Sequence, residues 1–250
     1  MEDTMHTVKS AEPATSCSDS RDAVELNHDR DGQSVPNSVD RAEIVVVRHG
    51  QTECNVEKII RGHLDVELNE VGRLQAHAVA DRLSKEGEIS AIYSSDLKRA
   101  TETAELIAIA CGGVEVTKDP ALRDRNAGIL QCLKRSDAAN VYPQAYEAYR
   151  SHRRDQEIPG GGENKYQLYQ RCTTCLRNIG LKHKGERVVV VTHGSFLACL
   201  YRQAHPNEGR PGAKIQNASV SVFHLFGEDD WVIKSWVDIS HLNHTEEKLY

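Results

Sequence analysis

Two apolar runs in this chain end on the same pair of residues. Ile44-Val45-Val46-Val47 leads into Arg48-His49-Gly50, and Val188-Val189-Val190-Val191 leads into Thr192-His193-Gly194. β-Branched side chains without polar alternation mark strands covered on both faces, as in a largely parallel sheet packed between helices. In such sheets the ligand site lies beyond the carboxyl ends of the strands. A histidine at two such ends, far apart in sequence, is therefore expected to be one feature. Parallel strands can bring His49 and His193 side by side, whereas a single His-Gly turn would carry little meaning.

The intervening segments fit an alternating strand–helix chain. Leu68-Asn69-Glu70 signals a helix start, and Val71, Leu74, Val79 and Leu83 give it an apolar face to about Lys85. Ala91–Ser95 reads as a short strand, followed by an alanine-rich helix that Gly112-Gly113 ends. The stretch "GVEVT" reads as another strand. Between Arg123 and Gly162 one helix is expected, Ala138 to Tyr149, carrying Tyr142, Tyr146 and Tyr149 at helical spacing. Next, "PGGGE" precedes a long helix from about Glu163 to Lys182, with Glu163 as its cap. Gly194-Ser195 opens another helix, and "SVSVFHLF" with "WVIKSWV" forms a closing strand pair. The expected architecture is a single α/β domain, a mostly parallel central sheet with helices on both faces. Residues 42–245 would form it, with 1–41 a polar, acid-rich disordered leader and 246–250 a tail.

Charge and composition exclude several classes. The formal net charge of −6 and the lack of a dominant basic run argue against nucleic acid as partner. No segment approaches the roughly 20 apolar residues that cross a bilayer, and the leader has neither an apolar h-region nor the acid-poor character of a transit peptide. A cytoplasmic protein is expected, with the nucleus as the alternative. Seven cysteines without a secretory signal read as free thiols. Cys172 and Cys175 read as residues one helical turn apart, not as metal ligands. Gly160-Gly161-Gly162 is not a nucleotide-binding loop, because no Lys-Ser or Lys-Thr follows it.

The strand ends carry more than imidazoles. Arg48 directly precedes His49, Arg99 follows the strand at Ala91, and Gly194 begins a helix whose free N–H groups attract anions. Guanidinium stays charged and forks onto two oxygens, which suits a phosphoryl group.

Taken in order, "VVRHGQTECN", "RGHLDVELNEVG", "SSDLKRA", "PGGGE" and "VVVVTHGS" resemble the histidine phosphatase superfamily (phosphoglycerate mutase-like), over about Glu43 to His241. The motifs are most similar to the small plant phosphoglycerate mutase-like proteins, some of which are metal-independent phosphoserine phosphatases. The resemblance implies that His49 is a nucleophile that takes up the phosphoryl group. It implies that Arg48, Arg99 and His193 surround the phosphoryl oxygens, and that Asn55, Arg61, Gly62 and Gly194 line the same pocket. Asp124 stands in the place of the proton-donating acid, where the family usually has Glu. His63 is a further candidate for the pocket rim, as are Arg150, Arg153 and Arg154 for a substrate carboxylate. The implied activity is hydrolysis of a small phosphorylated metabolite, phosphoserine among the candidates, with no cofactor and no metal. Phosphoglycerate mutase activity and simple binding of phosphorylated ligands are the alternatives. A homodimer is compatible with the chain.

Overall fold

The valine runs occupy neighbouring strands at the middle of the sheet. In the computed structural model, residues 41–207, 212–228 and 230–242 are described. The elements in order are β1 (Arg41–Arg48), α1 (Glu53–Val56), α2 (Glu70–Leu83), β2 (Ala91–Ser94), α3 (Lys98–Ala110), β3 (Val116–Lys118), α4 (Arg135–Val141), α5 (Pro143–Arg150), α6 (Lys165–Lys182), β4 (Arg187–Thr192), α7 (Gly194–Ala204), β5 (Val220–Phe226) and β6 (Asp230–Asp238). They build a six-stranded sheet in the order β3-β2-β4-β1-β5-β6. The pairs β3–β2, β2–β4 and β4–β1 are parallel, whereas β5 and β6 run antiparallel at one edge.

Period-two alternation along the strands explains why no polar residue interrupts them. Ile44, Val46, Val188 and Val190 join the core against α6 and α7. Val45, Val47, Val189 and Val191 join the opposite core against α2 and α3. All eight side chains are wholly buried. Each contributes about 1.5–3 kcal/mol relative to exposure, so a polar residue in either run would be costly. A third, smaller core of Ile60, Ala127, Leu130, Ala138, Ala145 and Ile158 underlies the segment between β3 and α6.

Several expectations are corrected. The helix expected over Ala138–Tyr149 is two helices, α4 and α5, with Tyr142 between them and Pro143 opening the second. Proline lacks the N–H needed to continue a helix but fits a first turn. The cap of α6 is Asn164, not Glu163: its side chain accepts from the Gln167 N–H while Gln167 reaches back to the Asn164 N–H. The buried stripe of α2 is Gly72, Ala76, Val79, Ala80 and Leu83, with Val71 and Leu74 only half-buried. The start of α2 agrees with its signal, since Asn69 accepts from the Gly72 N–H at 2.9 Å. Cys172 and Cys175 are helix residues facing the core. Among the described residues no cluster of His, Cys, Asp and Glu suits a metal, and no helix is long and apolar enough to cross a membrane. The leader lies outside the described residues apart from Arg41, which opens β1, and so does the 246–250 tail.

Candidate active site

Register places the two histidines at one level. β1 and β4 pair in parallel with Arg48 opposite Thr192, and the His49 N–H donates to the Thr192 carbonyl at 3.0 Å. One residue on, the rings of His49 and His193 lie 5.1 Å apart between centroids, tilted by 57°. Both residues are wholly buried.

The backbone after β1 passes hard against the start of α2, which only a residue without a Cβ permits at Gly50. A Cβ there would sit 2.3 Å from the Gly72 carbonyl oxygen at the start of α2. The Gly50 N–H donates to Thr103 Oγ1 at 3.2 Å, and its carbonyl oxygen lies 2.6 Å from His49 Nδ1. That carbonyl can only accept, so Nδ1 carries the proton and the lone pair is on Nε2. Nε2 of His49 and both ring nitrogens of His193 are buried without a protein hydrogen-bond partner.

Guanidiniums surround the rings, each held by oxygens elsewhere. Arg48 donates to the Ile215 carbonyl at 2.6 Å. Arg99, in the first turn of α3 and wholly buried, donates to the Leu64 and Gly62 carbonyls at 2.8 and 3.0 Å. Arg61 donates to Thr52 Oγ1 at 3.1 Å. The Nε atoms of all three are buried and unpartnered. Burial, with repulsion from Arg61, lowers Arg48 to about 10. Burial also lowers Arg99 to about 10, against the attraction of Asp124. Both remain cations at neutral pH. The His49 imidazole is pushed well below its ordinary range by burial and by Arg99, His193 and Arg48. Burial and Arg99 lower His193 likewise, although Asp124 pulls the other way. The rings are therefore neutral beside fixed positive charge.

Asp124 enters from the loop after β3. Its Oδ1 accepts from the Ser195 hydroxyl and from the Arg125 N–H, the latter at 3.0 Å, while Oδ2 lies 3.9 Å from Arg99 Nη2. Burial raises this carboxyl, but Arg99, Arg61 and the Ser195 hydroxyl together outweigh it and hold it ionised, well below the usual carboxylate range. Gly62, in the left-handed region at φ +53°, presents the carbonyl that holds Arg99. Gly194 is the first residue of α7, where a Cβ would lie 3.6 Å from Arg48 Nε.

The remaining candidates separate into wall and support. Arg61, Gly62 and Asp124 line a cleft of about 360 Å³, together with Arg125, Arg135, Tyr146, Tyr149, Arg150, Lys165, Ser195 and Arg202. Among the described residues that line it, Asp124 is the one acidic side chain. Arg153 is instead paired with Asp155 on the surface, 3.0 Å away. Asn55 supports the centre: its Oδ1 accepts from the Thr52 N–H at 3.0 Å and lies 3.4 Å from Asn217 Nδ2. His63 places Nε2 3.0 Å from the Asp124 carbonyl, behind the acid. Sequence reading missed Asn217, whose Nδ2 donates to the His49 and Gly50 carbonyls at 3.0 and 3.1 Å. It also missed the bond from Ser195 to Asp124. Neither had a local signal, because each contact joins segments remote in sequence.

Paired imidazoles, ringed by guanidiniums at the carboxyl ends of parallel strands, make a site whose charge and geometry suit a phosphoryl group. The chain belongs to the histidine phosphatase superfamily (branch 1), whose family pattern matches residues 44–239. It is 57% identical over 207 residues to phosphoglycerate mutase-like protein 4 of Arabidopsis thaliana, covering 83% of this chain and 90% of that one. It is 48% identical over 201 residues to a metal-independent phosphoserine phosphatase of the same plant, covering 80% and 83%. Among solved structures it is similar to Bacillus stearothermophilus YhfR, with a TM-score of 0.73 and 27% identity over 81% of this chain and all of that one.

Proposed function

We propose that this chain is a metal-independent phosphomonoesterase acting on a small anionic metabolite through a phosphohistidine at His49. The observation that carries the reading is the unpartnered Nε2 of His49, 5.1 Å ring to ring from His193 and surrounded by buried guanidiniums. The lone pair of Nε2 attacks phosphorus while the ester P–O bond breaks. Arg48, Arg61, Arg99, Gly194 and His193 bind the phosphoryl oxygens and offset the charge gathering on them. Asn55 acts one step behind, through Thr52 and Asn217. Asp124 gives a proton to the leaving oxygen, then takes one from the water that attacks the phosphohistidine, restoring the imidazole.

An acid held ionised by nearby cations must acquire its proton with the substrate. A phosphomonoester arriving as the monoanion brings one, and its bound charge offsets the arginines that kept Asp124 ionised. The acid is thus armed when the cleft is filled. Fixed guanidiniums supply the charge neutralisation that a divalent ion supplies in kinases.

Phosphoserine is the first substrate to test, because a relative 48% identical is a metal-independent phosphoserine phosphatase. The basic wall of the cleft suits a second anionic group such as its carboxylate. Free thiols at Cys172, Cys175 and Cys199 support a reducing, cytoplasmic setting. The alternative is phosphoglycerate mutase activity, raised by the 57% identical relative that is a phosphoglycerate mutase-like protein. Phosphate release from phosphoserine, compared with isomerisation of 3-phosphoglycerate, separates the two. Isomerisation with negligible phosphate release overturns the hydrolase.

A further inference from the structure

The "PGGGE" motif has no part in the chemistry above, yet its glutamate is tied to the loop that carries the acid. Glu163 is nearly buried, and both of its oxygens receive Arg171 of α6, from Nε at 2.9 Å and Nη2 at 2.7 Å. The rest of that guanidinium faces the loop. Nη1 donates to the Ala121 and Arg123 carbonyls at 2.7 and 2.9 Å, and Nη2 donates to the Asp124 carbonyl at 3.2 Å. Glu163 secures the far side as well, accepting from the Asn126 N–H at 3.3 Å while its own N–H donates to the Asn126 carbonyl at 2.9 Å. Backbone groups before, at and after Asp124 are thus fastened to one ion pair.

A lone helical arginine with one carboxylate partner would ordinarily be a minor surface contact. This one spends all three of its nitrogens, and three of its five bonds go to carbonyls at or just before Asp124. The planar fork fixes direction as well as distance, which an ammonium cannot do. Aspartate also has one methylene fewer than glutamate, so the reach of the carboxyl depends on where this backbone sits. A displacement of about 1 Å is enough to cost on the order of 100-fold in such a transfer.

We infer that Arg171, braced by Glu163, is a positioning residue for proton donation by Asp124. The inference rests on the reading of Asp124 as the acid, and it separates cleanly from a role in stability. A departing alkoxide needs the proton, whereas p-nitrophenolate leaves without it. kcat/KM covers only the steps through the first departure, so the later attack of water does not enter.

The test measures kcat/KM for phosphoserine and for p-nitrophenyl phosphate in the wild type, Arg171→Lys, Glu163→Gln and Asp124→Asn. For Arg171→Lys and Glu163→Gln, the phosphoserine value is expected to fall roughly 10- to 100-fold, with p-nitrophenyl phosphate within about twofold of wild type. Should Arg171→Lys not fold, as judged by thermal unfolding, Glu163→Gln decides alone because it keeps size and shape. Parallel losses on both esters, or no loss on either, overturn the positioning role. If Asp124→Asn leaves the ratio of the two esters unchanged, the assignment of the acid fails and the inference fails with it. If Asp124→Asn lowers the ratio but the other variants do not, only the inference fails.

Discussion

His49 fixes its own tautomer through the next residue in the chain, its Nδ1 donating to the Gly50 carbonyl at 2.6 Å. No carboxylate is needed to orient the ring, so the charge around it stays positive. That arrangement distinguishes the two imidazoles. His49 has one committed nitrogen and one free, whereas both nitrogens of His193 are unpartnered.

The first consequence concerns labelling. His49→Ala should abolish turnover of phosphoserine and remove all acid-labile, base-stable phosphate from protein quenched during turnover. His193→Ala should lower the rate by about 100-fold or more yet leave a detectable label, as expected for loss of transition-state stabilisation. A label that survives in His49→Ala would move the nucleophile elsewhere.

Gly50 lets two backbone segments approach closely, and Gly50→Ala would drive a Cβ against the Gly72 carbonyl. The contact is backbone on backbone, so no side chain can swing away. A loss of about 1–3 kcal/mol is expected in urea unfolding, read as a lower midpoint at constant slope. An unchanged midpoint would mean that the two segments can move apart at no cost.

The neutral histidines also make the fold acid-sensitive. Folded His49 and His193 resist protonation, while the unfolded rings take up protons near pH 6.5. The unfolded chain then binds more protons, so stability falls as pH drops from about 7 towards 5. The loss is on the order of 1–2 kcal/mol per ring. Asp124, held below its ordinary range, withdraws its contribution only at still lower pH. Unfolding of the wild type and of a His49→Asn, His193→Asn double variant at both pH values checks this. Equal pH dependence in the two proteins would remove the histidines as the cause.

Arg150 and Arg202 line the cleft beyond the phosphoryl centre. Arg150→Gln and Arg202→Gln are expected to raise KM for phosphoserine roughly tenfold each, the scale of a charge-assisted hydrogen bond, with kcat nearly unchanged. Phosphoethanolamine, which lacks the carboxylate, should respond little. Equal effects on both esters would show that these arginines act on the phosphoryl group or on the fold.

The centre was legible because its parts are written locally: an apolar run that stops on His-Gly can be read residue by residue. The Asn69 cap and the strand ends followed from the same kind of signal. Elsewhere, one local rule was given less weight than another. Tyrosine spacing suggested a continuous helix where Pro143 starts a new one. Glu163 looked like a cap because it follows three glycines, but Asn164 and Gln167 complete the cap one residue later. Ser195 on Asp124, Asn217 on His49 and Arg171 on the loop around Asp124 had no signal at all. Such pairings depend on how distant segments are brought together by the sheet, and nothing in the flanking residues records that.

The small core under α4 and α5 has a consequence for how this enzyme class diversifies. Ile60, Ala127, Leu130, Ala138, Ala145 and Ile158 pack chiefly on one another, apart from the two large cores that carry the strands. Arg125, Arg135, Tyr146, Tyr149 and Arg150, which face the cleft, are mounted on that separate layer. The strand-end histidines and these cleft-facing side chains therefore hang from different stretches of chain, with Arg61 and Asp124 at the junction. Side chains between Arg135 and Arg150 can be rewritten for a new metabolite while the strand-end histidines and arginines stay as they are.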